Sequence, residues 1–164
     1  MSLTVRDAEP QDAQAIADIY NPYVTGSTAT FHIEPVDATE RLEWLIGHDA
    51  RHPVLVADSD GEVVGWGSLT RWASRPAWHR TVEVSIYVSL DHRGEGVGRA
   101  LIEALLERAS GAGHHVVMAQ VVADNTASIA MAERAGFERV GHLKEVGHKF
   151  GAYHDLVLLQ RILP

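Results

Sequence analysis

Apolar and polar positions along this chain recur in two rhythms, and the change from one to the other divides it into elements. Residues 3–6 read as a short strand. Pro10 opens a helical stretch in which Ala13, Ile16, Ala17 and Tyr20 are spaced to share one face. Residues 25–35 read as a loop of small and β-branched residues around Phe31, and residues 39–46 as a second helix that 48–53 ends. Residues 54–57 and 62–69 flank Asp60-Gly61, a hairpin signal. Residues 71–79 read as irregular. Residues 82–88 form a strand of period two, with Glu83, Ser85 and Tyr87 on one face and Val82, Val84, Ile86 and Val88 on the other.

The second half alternates more regularly. Residues 91–98 form a glycine-rich turn that feeds an amphipathic helix over 99–109, with Leu101/Leu105 and Ile102/Leu106 four apart. Gly111 and Gly113 stop it. Residues 116–122 read as an apolar strand buried on both faces. Asp124-Asn125 precedes a helix over 126–134 closed by Gly136, and strands over 137–146 and 153–162 flank a turn at 147–151. This mixture predicts an α/β (α+β) fold, a mixed sheet with helices on both faces.

The length of 164 residues suits one domain spanning 1–164, since a second core of ordinary size does not fit. Lys plus Arg number 14 and Asp plus Glu 22, a formal charge of −8. That is a poor match to nucleic acid or an anionic membrane as partner. The absence of cysteine excludes a thiolate nucleophile, a disulfide scaffold and a Cys-ligated zinc. No stretch approaches the ~20 apolar residues that cross a bilayer, and the first residues hold no apolar signal core, so a cytoplasmic protein is expected. Ten histidines raise a metal reading, but no His-Glu-x-x-His spacing occurs and no metal is expected. A Gly-x-Ser-x-Gly hydrolase elbow is also missing.

The most informative segment runs from Val88 to Arg99. A strand ends, Gly94, Gly96 and Gly98 follow at alternate positions, and a helix begins. Glycines there permit positive φ and close approach of a ligand, and the helix N-terminus adds unpaired N–H donors. The pattern predicts a cradle for a diphosphate, with Arg93 and Arg99 adding charge at its ends. It is not a P-loop, because Gly98 is followed by Arg99 and Ala100, and it lacks the third glycine of the dinucleotide fingerprint.

Arg93-Gly-Glu-Gly96-Val-Gly98 resembles the Gln/Arg-x-x-Gly-x-Gly/Ala signature of the GNAT superfamily of acyl-CoA-dependent N-acetyltransferases. Asn125-Thr-Ala-Ser128-Ile-Ala-Met131 through Gly136-Phe137 resembles its second block. Tyr20-Asn-Pro-Tyr-Val, Ser27 to Phe31, Arg75-Pro-Ala-Trp78, Thr81 to Val88 and Gly147 to Asp155 are similar to the phosphinothricin and methionine sulfoximine acetyltransferases. The resemblance runs over nearly the whole chain and implies a splayed central sheet, acetyl-CoA as cosubstrate, a small amine as acceptor and a homodimer. It also implies roles. Gly94, Glu95, Gly96, Val97, Gly98 and Arg99 would hold the diphosphate with Arg93. Ile86, Tyr87 and Val88 would bind the pantetheine arm, Asn125 would lie beside it, and Arg134 would reach the far end.

Acetylation needs an uncharged nitrogen, and an amine of pKa ~10.4 is free to only about 0.04% at pH 7. The resemblance implies that Glu83 takes the proton, directly or through water. It further implies an acceptor site framed by Phe31, Arg75 and Trp78, with Glu83. The residue after Met131 is a histidine in the phosphinothricin enzymes and an acid-bearing tyrosine in many other members; here it is Ala132. The thiolate then leaves unaided, or water protonates it, or another side chain has taken the role, with Tyr153 and His148 as candidates. Two other readings remain open: acetylation of a polyamine or a protein N-terminus, and a CoA-binding sensor without turnover.

Overall fold

In the computed structural model, which describes residues 2–164, β1 (Leu3–Asp7) leads through a short 3₁₀ turn (Pro10–Asp12) into α1 (Ala13–Gly26) and then α2 (Ala38–Ile46). Asp37 caps α2 by accepting the Glu40 amide at 2.8 Å. β2 (Val54–Ser59) turns into β3 (Glu62–Arg71) over Asp60 and Gly61, whose φ values of +52° and +93° suit a two-residue hairpin. β4 (Thr81–Val88), α3 (Val97–Gly111), β5 (Val116–Val122), α4 (Thr126–Arg134), β6 (Glu138–Lys149) and β7 (Ala152–Ile162) complete the chain.

The strands form one sheet in the order β1-β2-β3-β4-β5-β7-β6. Every neighbouring pair is antiparallel except β4 and β5, which run parallel over only three rungs, Thr81↔Val116, Val82↔Val117 and Glu83↔Met118. Strand alternation sends Leu55 and Ala57 to one face and Val54 and Val56 to the other. On the first face α3 contributes Leu101 and Leu105, and α4 contributes Ile129 and Ala132. On the second, Ile16, Tyr20 and Val24 of α1 pack with Trp66. Each fully buried leucine or isoleucine contributes about 1.5–3 kcal/mol. Gly65 and Gly67 let α3 lie directly on β3, since a Cβ at either would come within 2.8 Å of Val97 or 2.7 Å of Leu105.

The expected elements are all present, with shifted ends. α3 begins at Val97 rather than 99, so Gly98 is helical. β6 runs to Lys149, and the last hairpin turns on Phe150 and Gly151 alone, at φ +54° and +70°. Glu145, at φ +55°, absorbs the irregularity in β6. β5 is not buried on both faces throughout, because Gln120 faces an opening in the sheet.

Candidate active site

Beyond the Glu83↔Met118 rung the central strands part. The rest of β4 pairs only with β3, and the rest of β5 only with β7. A cleft of about 1290 Å³ opens between them, lined by Ile86, Tyr87 and Val88 on one side and Ala119, Gln120 and Val121 on the other. The β4 edge there presents backbone donors and acceptors without a strand partner, the condition for receiving an extended ligand.

At the mouth stands the glycine loop. Gly94 and Gly96 have φ of +79° and +85°, and a Cβ on either would meet nothing within 4 Å. Backbone conformation, and not space, requires glycine at these two positions. Gly98 serves differently: a Cβ there would stand 2.9 Å from the Met131 sulfur, so its smallness seats α3 against α4. No side chain caps α3, and the first amide to find a carbonyl is that of Ala100, which donates to Gly96 at 3.0 Å. The amides of Val97, Gly98 and Arg99 are therefore free for an anion, with the positive end of the helix dipole behind them.

The side chains around the loop divide into two groups. Arg93 lines the cleft. Arg99 contributes its amide, because its guanidinium turns along the helix to Glu103 at 2.9 Å. The Val97 side chain is buried in the core, and Glu95 points to solvent. Asn125 lines the cleft and also caps α4, accepting the Ser128 amide at 3.3 Å. Arg134 and Arg161 also line the cleft.

Glu83 sits at the root of the opening, half-buried, and Gln120 Nε2 donates to its Oε2 at 3.2 Å. Burial pushes its carboxyl above the ordinary range, and the bond from Gln120 only partly opposes this. Tyr87, on the same face, is stacked edge-on against Tyr20 at 4.9 Å, and burial pushes its hydroxyl well up. The Tyr23 hydroxyl donates to the Val88 carbonyl and so fixes the end of β4 at the cleft mouth.

The same face of the sheet carries the loop between α1 and α2. Asn21 closes its base with two hydrogen bonds to Val36, Nδ2 to the carbonyl at 2.7 Å and the amide to Oδ1 at 2.9 Å. The tip of the Phe31 ring closes on Gly147, where a Cβ would overlap it.

The remaining sequence candidates stand apart from the cleft. Arg75 is exposed at the start of a 3₁₀ turn (Pro76–Trp78), and Trp78 is 45% exposed. Tyr153 is 66% exposed and faces His148 across the last hairpin, their rings 4.9 Å apart. Ala132, by contrast, lines the cleft and brings no proton donor to it. Among the described residues no group of three or more His, Asp or Glu is placed to hold a metal. His114 is buried with Nε2 on the Arg51 carbonyl at 2.6 Å. Sequence reasoning missed Tyr23 and Gln120. Gln120 carried a signal, being the one polar residue in an otherwise apolar strand.

An extended cleft with free amides at its mouth and a half-buried carboxylate at its root defines a transferase-type site for a long, anionic-headed ligand. Residues 13–137 match the acetyltransferase (GNAT) family, and the chain belongs to that family. It is 42% identical to an L-methionine sulfoximine/L-methionine sulfone acetyltransferase of Pseudomonas paraeruginosa, over 98% of this chain and 94% of that protein. It is 40% identical to a phosphinothricin N-acetyltransferase of Alcaligenes faecalis, over 98% and 82%. The fold superposes on a GNAT superfamily phosphinothricin acetyltransferase of Sinorhizobium meliloti, solved in complex with acetyl-CoA. The TM-score is 0.92 at 34% identity, covering 99% of this chain and 89% of that one.

Proposed function

We propose that the protein transfers the acetyl group of acetyl-CoA to the primary amine of a small amino-acid-like acceptor of the phosphinothricin or methionine sulfoximine type. The observation that carries this reading is the cleft itself: free amides at 97–99 stand at one end of an unpaired strand edge, and Glu83 stands at the other. Acetyl-CoA fits these residues. The amides from Gly94 to Arg99, with Arg93, hold its diphosphate; Ile86, Tyr87 and Val88 pair with the amides of its arm beside Asn125; Arg134 meets its far end. When bound there it supplies an activated acyl thioester.

The chain's own residues do the rest. Glu83 receives the amine's proton, directly or through a water, and the burial that pushes its pKa up strengthens it as a base. A β4 amide stabilises negative charge on the carbonyl oxygen. A thiol of pKa ~8.5 leaves as thiolate without an obligatory acid, which makes Ala132 tolerable and leaves Tyr153 a dispensable proton source. Phe31 walls the acceptor, while Arg75 and Trp78 stand apart from the cleft of their own chain and make no contact with the acceptor there. Holding both reactants together removes most of the entropy cost of their meeting.

No helix among the described residues is long and apolar enough to cross a membrane. We place the protein, as one domain over 1–164, in the cytoplasm where acetyl-CoA is at hand; fractionation of native cells tests this. A homodimer accords with the exposed Val146, Phe150 and Tyr153 on the edge hairpin, and sedimentation equilibrium tests it.

The deciding experiment is release of coenzyme A in the presence of a panel of amines. Phosphinothricin and methionine sulfoximine are expected to accelerate it most. Preference for a polyamine or a peptide N-terminus would overturn the acceptor assignment. Tight acetyl-CoA binding with no acceleration by any amine would replace the enzyme with a CoA-binding sensor.

A further inference from the structure

Lys149 is only 4% exposed, and among the described residues no carboxylate pairs with it. Its Nζ donates to the Thr30 carbonyl at 2.9 Å. A buried ammonium is costly to keep without a counter-ion, and burial pushes its pKa down accordingly. A lysine used only to fill space there would be worse than methionine; the position obtains from it this hydrogen bond and a cation–π approach to the exposed Phe150 ring, whose centroid lies 5.2 Å from Nζ.

The bond does not act alone. The Ala29 carbonyl accepts from the Tyr87 hydroxyl at 3.4 Å, and Thr30 Oγ1 shares a hydrogen bond with the Tyr20 hydroxyl at 2.6 Å. Phe31, next in sequence, rests on Gly147, two residues before Lys149 on β6. Three elements distant in sequence, α1, β4 and β6, therefore grip two consecutive residues of the α1–α2 loop. Ala29 lines the cleft, and Phe31 is the wall assigned above to the acceptor.

We infer that Lys149 is a positioning residue of the acceptor side: through its hydrogen bond to Thr30 it holds Ala29 and Phe31 in place against the strand that carries Glu83. The inference rests on the proposed acetyl transfer, but its physical content is separate. On the loop the side chain acts through a neutral backbone carbonyl, so what matters to Thr30 is a donor at Nζ and not its charge, which meets only the Phe150 ring.

The test compares Lys149→Met, which keeps the bulk without a donor, with Lys149→Gln, which keeps a donor without the charge. With methionine sulfoximine and acetyl-CoA as substrates, the Met variant is expected to raise the acceptor KM several-fold, up to about tenfold, the usual loss for one hydrogen bond. The KM for acetyl-CoA should stay within about twofold, and the Gln variant should recover most of the acceptor KM. Hydrogen exchange of the amides at 29–32 provides a readout without turnover: faster exchange in the Met variant, restored in the Gln variant. An unchanged acceptor KM, a parallel rise in both KM values, or a Gln variant as impaired as Met would overturn the inference. Should the Met variant not fold, Tyr20→Phe removes the second tether on Thr30 and must shift the acceptor KM in the same direction. A wild-type protein inactive on every amine would remove the proposed function, and the exchange comparison would then decide the role of Lys149 by itself.

Discussion

The two ends of the cleft are built from different materials. The diphosphate end is made of backbone: positive-φ glycines, an uncapped helix start and a strand edge without a neighbour. The acceptor end is made of side chains: Glu83 held by Gln120, Phe31 seated on Gly147, and a loop tethered by Tyr20, Tyr87 and Lys149. Backbone donors are the same whatever the side chains, so the first end can be kept while the second is varied. On the proposed assignment, substitutions at the second end are expected to change the acceptor and leave acetyl-CoA recognition intact.

Substitutions that respect or violate this division probe it. Gly96→Val at the backbone end is expected to be the most damaging. A β-branched residue at φ +85° is strained by roughly 1–3 kcal/mol and turns the following amides away. The acetyl-CoA dissociation constant, read by calorimetry, should rise by about 10²-fold; tight binding by this variant would show that the amides are not the grip. Glu83→Gln at the side-chain end should lower kcat/KM by about 10²-fold and leave acetyl-CoA affinity unchanged.

The pH dependence of that pair sharpens the point. As the proposed base Glu83 would work ionised, so activity is expected to fall as pH drops through its pKa, with burial placing this acid limb above the ordinary carboxylate range. The limb should vanish in the Gln variant. Because the folded pKa is raised, the folded state binds more protons than the unfolded one between the two values, and Glu83 loses the fold stability as pH rises through that window. The Gln variant should therefore melt no lower than the wild type at neutral pH, and a markedly lower melting temperature would contradict the burial argument. The smallest effect is expected from Tyr153→Phe, since the hydroxyl lies outside the cleft: kcat within about twofold by thiol release. A tenfold fall would restore Tyr153 as the acid.

Periodicity and glycine placement made most of the fold legible. The Asp60-Gly61 hairpin, the alternation of 82–88 and the helix after the glycine loop needed only local rules. The glycine loop could be read too, but the division of labour within it could not: the role of Gly98 depends on Met131, which approaches from a different helix. The acceptor end was legible only in part because its contacts are non-local. Lys149 and Thr30 are 119 residues apart, and Tyr87 and Ala29 are 58 apart. Nothing in the local pattern of either segment announces its partner.

The two halves of the sheet are joined at its centre by three parallel rungs, and beyond them the cleft opens between β4 and β5. A ligand that pairs with the β4 edge is in effect a removable keystone, completing the ladder that the polypeptide leaves out. Binding and folding are then coupled by mass action, and the protein resists heat better the more of its cosubstrate surrounds it.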